Sequence, residues 1–343
     1  MKSFTFNSIS EADRYFKANM ELGHVVHTSV KQSIELSKLS EDNVVICSTS
    51  GEITPGGYKD GIITGFSFNK GIADIVEISK PAILSKPSME KAYDKVKRNK
   101  NAFLLLLLDG LSGTEEGVMS ILYFMDNEFK VVGGSAGDNL KFELCHIYIG
   151  NKKVENVGIF FNVEKRTVLI KENLYVPRGE KLLITDADPI SRVVKTIDNL
   201  PAVEAYAKHL GVSVQNLQDH FMSNPLGKIY KDEIMIASPM KINPDKSITF
   251  YCQVMPNTFV FMLEPSNTSE TIDATINRFP FKPSFMYVVN CILRSLKFQK
   301  DKEWPLVSRK LESVCNNTTG FVSYGEQFYN HHVNQTMVIL ALE

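Results

Sequence analysis

The sequence is short of several things that would settle its class at once. It has one tryptophan and five cysteines. Cys47, Cys145, Cys252, Cys291 and Cys315 are odd in number and lie 98, 107, 39 and 24 residues apart, so neither a disulfide framework nor a paired zinc spacing can be drawn through them. An excess of one charge is missing too. Lys and Arg number 38 against 39 Asp and Glu, a formal net charge of -1, which gives no electrostatic reason to expect nucleic acid or an anionic membrane as partner. The longest apolar run, Ala102 to Leu108, is far shorter than a membrane span and suits a strand buried on both faces. The start, Met1-Lys2-Ser3-Phe4-Thr5-Phe6, carries no apolar run of signal-peptide length. The expectation is a cytoplasmic protein without membrane insertion.

What is present is a soluble composition, 43% hydrophobic and 22% charged, over 343 residues, enough for two domains. The periodicity predicts helices over 10–22 and 28–38, a strand over 44–48, and a strand pair, 61–68 and 72–78, joined by a hairpin loop at Asn69-Lys70-Gly71. A helix over 89–98, a buried strand over 103–108 and a helix over 114–125 follow. Strands are expected over 143–149, 157–163 and 167–171. Beyond Pro189 the register changes. Pro201 stands at a first helical position, and a helix over 202–210 ends at Gly211. Further on come a buried strand over 285–291, a helix over 306–315 and strands over 320–323 and 335–342. The fold class is α+β: two domains, 1–190 and 191–343, with mixed, largely antiparallel sheets flanked by helices.

The densest signal is Gly133-Gly134-Ser135-Ala136-Gly137-Asp138-Asn139, which gives up side-chain packing so that the backbone can turn sharply or approach something closely. A pocket-facing strand end and a plain glycine-rich turn both fit it. Two other stretches share its pattern of hydroxyl, any residue, glycine, acid: Thr49-Ser50-Gly51-Glu52 and Ser323-Tyr324-Gly325-Glu326. Around these turns the segments 30–68, 115–149 and 305–342 repeat one order of helix, strand, turn, loop and strand, which points to pseudo-symmetric halves.

At these residues the sequence resembles the FIST family, a prokaryotic sensory module with an N-terminal and a C-terminal FIST domain. The resemblance is carried by Cys47-Ser48-Thr49-Ser50-Gly51-Glu52-Ile53, the Gly133 to Asn139 stretch, Val194-Lys195-Thr196-Ile197-Asp198 before Pro201-Ala202, Asn224-Pro225-Leu226-Gly227, Asn290-Cys291-Ile292-Leu293-Arg294, Gly320 to Glu326, and Val333-Asn334-Gln335-Thr336. Their order matches the family and spans nearly the whole chain. The resemblance implies an input domain for signal transduction, with small molecules such as amino acids as ligands and a histidine kinase or cyclase as output. It also implies an alternative, since some relatives bind haem and report nitric oxide. Leu293 and Ser295 depart from the family, which often has glycine beside the arginine. The length leaves no room for an output domain, so the signal is expected to pass to a separate protein.

If the three turns face one cleft between the domains, Glu52, Asp138 and Glu326 receive a ligand ammonium, and N–H groups beside Gly51, Gly134, Gly137 and Gly325 take a carboxylate. Arg294 is the bidentate carboxylate partner. Ser50, Ser135, Asn139, Tyr324 and Asn334 orient the ligand by hydrogen bonds, and Cys291 lies beside them. Plainer readings compete: Arg294 held by Glu326 or Asp138, Glu52 and Glu326 as solvated turn residues, Tyr324 and Cys291 as core. Two further alternatives use other residues. Cys291 with His331 or His332 and Asn334 supplies the residue types of a thiol enzyme. His27, His146, His331 and His332 are candidate axial ligands for haem, without a Cys-x-x-Cys-His attachment motif. No cofactor is otherwise expected.

Overall fold

The computed structural model describes residues 1–230 and 233–343, which form two compact units. The first comprises 1–172, 272–332 and 337–343, and the second 173–271 with 333–336.

The first unit contains three six-stranded sheets built to one plan. Each begins with two parallel strands joined by a helical crossover. These are Leu22–Thr28 and Val44–Ser48 around helix Val30–Ser37, Phe103–Leu108 and Val131–Ser135 around helix Glu115–Met125, and Phe285–Cys291 and Thr318–Ser323 around helices Ile292–Lys300 and Trp304–Val314. Beside the first parallel strand, a return strand runs antiparallel: Ile63–Asn69, Asn156–Phe161 and Thr336–Leu342 respectively. Lys2–Phe6, Ala73–Ile78 and Thr167–Asn173 complete the outer edges.

The plan explains the apolar run. Phe103, Leu105 and Leu107 point to a core shared by all three sheets, where they meet Val25, Phe66, Phe161, Phe285, Tyr287 and Phe321. Leu104, Leu106 and Leu108 point the other way, under helix Glu115–Met125 and helix Lys86–Val96. A strand covered on both faces has no solvent side on which to place a polar residue.

The hairpin after each second parallel strand leaves its own sheet for a neighbouring one. Glu52–Thr54 with Gly57–Lys59 joins the third sheet through Thr318–Ser323. Glu326–Phe328 with His331–Val333 joins the second through Val131–Ser135. Ile147–Ile149 with Lys152–Val154 joins the first through Val44–Ser48. The exchange is cyclic, so the internal symmetry is threefold and lies within one unit.

Several elements differ from those the sequence predicts. Ile63–Asn69 and Ala73–Ile78 do not pair; a 3-10 turn at Lys70–Ile72 carries the chain from the first sheet to the second. Leu22–Thr28, expected as the junction of two helices, is a strand, and Ile292–Lys300, not expected, is a helix. Residues 143–146 belong to a loop before the short strand Ile147–Ile149.

The second unit is an antiparallel sheet in the order Glu233–Ala237, Leu226–Tyr230, Thr258–Pro265, Tyr175–Asp188, Val193–Ile197, Ile248–Phe250 and Pro239–Ile242. Helix Ala202–Leu210 buries Val203, Ala205 and Tyr206 in that unit's core and stops at Gly211, whose φ of 73° is the left-handed cap expected of glycine. In chain order this unit interrupts the third repeat between Thr167–Asn173 and Phe285–Cys291. The first two repeats carry short helical segments at that point, Ile9–Ala18 in the first and Ala82–Ser85 with Lys86–Val96 in the second. Residues 190 and 191, the expected boundary, fall in the turn between Tyr175–Asp188 and Val193–Ile197.

Candidate functional site

Backbone hydrogen bonds stitch the three turns into a ring. Ser50 N donates to Val322 O at 3.1 Å and Val322 N to Gly51 O at 2.8 Å; Tyr324 N donates to Ser135 O at 3.0 Å and Ser135 N to Gly325 O at 2.8 Å. Gly137 N donates to Ser48 O at 3.0 Å and Ser48 N to His146 O at 2.8 Å. The N–H of Gly137, expected to await a ligand, is therefore used by the fold.

These bonds also fix which residues are equivalent. Glu52 lies opposite Phe321, Glu326 opposite Gly134, and Ile147 opposite Cys47. Val322, Ser135 and Ser48 follow those partners and make the same ring contacts. The turns at 49–52 and 323–326 are thus true counterparts: Thr49 Oγ1 donates to Glu52 Oε1 and Ser323 Oγ to Glu326 Oε1, both at 2.7 Å. The turn at 135–138 is one residue out of step. Ala136 stands where the other repeats have Thr49 and Ser323, and Ile147 where they have Glu52 and Glu326.

Asp138, which follows Gly137 as Gly51 and Gly325 follow Ser50 and Tyr324, has a different task. Its Oδ1 accepts from Phe142 N at 3.0 Å and from the Tyr324 hydroxyl, and its Oδ2 from Glu143 N at 2.7 Å and Leu144 N at 3.0 Å. Burial alone would raise its pKa, but the Tyr324 hydroxyl and these N–H groups hold it below the usual value. The carboxylate pins the loop 139–145, in which Asn139, Leu140 and Phe142 take positive φ, and Phe142 stacks on Tyr324 at 5.1 Å. It is a loop clamp, which corrects the expectation of an ammonium receptor.

The conspicuous glycines make room for protein. A Cβ on Gly134 would collide with Phe321, Val289 and Ser323, one on Gly137 with Ser50 Oγ, and one on Gly325 with the His332 ring. Gly51 combines a φ of 127° with the Tyr58 ring against its α-carbon. Ser50 Oγ accepts from Asn139 N at 3.1 Å. Ser135 Oγ donates to Glu115 at 3.2 Å and accepts from Gln327 Nε2 at 3.3 Å.

Cys291 ends its strand beside Ser323 and is buried at the start of helix Ile292–Lys300. One turn on, Arg294 is fully buried and its Nη2 donates to Glu172 Oε1 of the edge strand Thr167–Asn173, while Phe298 lies under the guanidinium at 4.9 Å. Neither Glu326 nor Asp138 is its partner. The pairing is incomplete: Arg294 Nε and Nη1 and Glu172 Oε2 have no hydrogen bond, nor have Asn290 Oδ1 and Ser295 Oγ at the same strand-to-helix junction. Each such group costs about 1–3 kcal/mol while it stays buried and unpaired.

The remaining candidates lie elsewhere. Asn334 belongs to the second unit, where its Nδ2 donates to Val333 O at 3.3 Å and its Oδ1 accepts from Ser238 N at 3.5 Å. His27 is buried in the three-sheet core, stacked on Phe321 at 4.5 Å and bonded to Tyr287 Oη at 2.8 Å; burial lowers its pKa to about 3. His146 is buried next to Tyr148, and His332 lies against Gly325.

Glu172 is absent from the sequence reading, and Asn290 and Ser295 enter it as family positions and not as site residues. A signal for Glu172 existed. Leu169 points to the common core, so alternation turns Ile170 and Glu172 toward the helices, where an acid needs a partner.

No curated protein matches the sequence. No helix among the described residues is long and apolar enough to cross a membrane. The model of the FIST N domain matches residues 34–200 and that of the FIST C domain residues 202–329. With both domains matched in order over most of its length, the chain belongs to the FIST family, whose domains are sensory domains of signalling proteins.

Proposed function

We propose that this chain senses a small polar ligand carrying a carboxylate, an amino acid in the first instance, and that Arg294 is the residue that reads it. The observation that carries the reading is the buried Arg294 guanidinium with two nitrogens unpaired. A ligand carboxylate arriving there would accept a charge-assisted bond from Nε, or from Nη1 at the end of the guanidinium that it shares with Nη2. Glu172 Oε2 and Asn290 Oδ1 offer acceptors to an ammonium, and Ser295 Oγ a further hydrogen bond. This donor and acceptor set suits a zwitterion better than a simple anion, because Glu172 already offsets the arginine charge. Residues 172 and 290–295 supply it, within one compact unit.

The output in this reading is a separate kinase or cyclase that responds to the liganded form. A thermal-shift screen against amino acids and small carboxylates tests the ligand claim. At least one compound should raise the melting temperature of the wild-type chain, and Arg294→Lys, which keeps the charge but loses the fork, should abolish that rise. A rise that Arg294→Lys leaves unchanged would remove Arg294 from the site.

A further inference from the structure

A second buried acid has no role in that site. Glu52 is 1% exposed and opens the exchanged hairpin Glu52–Lys59, through which the first repeat joins the sheet of the third. Thr49 Oγ1 donates to Glu52 Oε1, and Oε2 has no hydrogen bond; the N–H groups of Gly61 and Ile62 are close enough to favour the charge slightly without bonding to it. The fold does not require an acid at this position. In the second repeat the same place in the ladder holds Ile147, packed in the core, and the hydroxyl is replaced by Ala136.

No buried cation among the described residues offsets the charge of an ionised Glu52. On its own hairpin Glu52 stands opposite Lys59, which is exposed, with Tyr58 beside it and Asp60 following. The strands packed beside it, Thr318–Ser323 and Ile63–Asn69, contain no ionisable side chain. From helix Ile292–Lys300, Gln299 reaches the Tyr58 hydroxyl at 3.4 Å. On helix Trp304–Val314, Trp304 stacks on Tyr58, Arg309 turns back to Pro305 O and Lys310 pairs with Asp273.

We propose that Glu52 is a proton-operated latch: with its carboxyl neutral the hairpin Glu52–Lys59 stays paired to Thr318–Ser323, and ionisation favours release of the hairpin. Burial, reinforced by Asp60, pushes the carboxyl up to about 8, against the pull of the Thr49 hydroxyl. An unfolded or released Glu52 ionises near pH 4.5. The folded form therefore holds the extra proton between about 4.5 and 8, and the latch weakens as pH rises through that window, then levels off.

Amide hydrogen exchange of the full chain at several pH values, corrected for intrinsic exchange, tests this. Protection of Ser50 and Val322 should fall by up to about tenfold per pH unit between pH 6 and 8, while protection within Leu22–Thr28 and Val44–Ser48 changes less. Glu52→Gln should flatten the dependence, and Glu52→Ile, which copies the second repeat, should do the same if the amide variant folds poorly. Protection of Ser50 and Val322 that does not change with pH, or an equal slope in both variants, would overturn the latch. Binding at Arg294 is a separate readout, so either idea can fail alone.

Discussion

At the scale of single residues, the chemistry turns on how completely each buried charge is paired. Asp138 is saturated by Tyr324 and three backbone N–H groups, whereas Arg294 and Glu172 share one bond and leave three polar atoms unpaired between them. Truncating one partner strands the other. Arg294→Ala should cost about 3–5 kcal/mol in urea unfolding, and the double substitution Arg294→Met with Glu172→Leu much less, since it removes both charges together. A double variant that loses as much as the two single substitutions added together would show that the pair is not coupled. Asp138 gives a pH signature of opposite sense to Glu52. Its lowered pKa means that its stabilisation is complete above the ordinary aspartate value and is lost as pH falls through the folded value. Asp138→Asn should expose the loop 139–145 to limited proteolysis at neutral pH, and the wild-type chain should reach that state only in acid. The sequence already singled out Arg294 and Asp138; their partners were hidden because Glu172 lies 122 residues from Arg294, and Tyr324 lies 186 from Asp138.

At the scale of elements, the glycine-rich stretch proves to be a packing device. Gly134 lets the side chains of Phe321 and Val289 occupy the space a Cβ would need. Gly134→Val should destabilise the chain by about 1–3 kcal/mol through overpacking. Gly117, exposed inside helix Glu115–Met125 with open space around its α-carbon, is the contrasting case. There Gly117→Ala should stabilise by about 0.5–1 kcal/mol by limiting the unfolded chain and favouring helix. Chemical denaturation of both variants checks the pair, and a harmless Gly134→Val would mean that the stretch is not close-packed. The buried strands 103–108 and 285–291 and the helix 202–210 were legible from apolar runs and a glycine stop. Leu22–Thr28 was not. Its His24 and His27 look like solvent-facing residues until Ser67, Tyr287 and Phe321 are seen around them.

At the scale of the whole molecule, the family match divides the chain near residue 200, whereas the compact units divide it at 172 and 271, with a short return segment at 333–336. The repeated turns were visible in sequence, but the threefold plan was not, for two physical reasons. Unit two interrupts the third repeat, which conceals its period. The motif at 135–138 matches the others by composition while lying one residue out of register in the ladders. The reading as a sensor rests on a site assembled from residues 172 and 290–295, distant in sequence and joined by the third sheet. Isothermal titration of the amino acid that gives the largest thermal shift tests this most directly, on the wild-type chain, Arg294→Lys and Glu172→Gln. The account predicts saturable one-site binding to the wild type, weakened at least tenfold in both variants. Binding of equal affinity to all three proteins would contradict it.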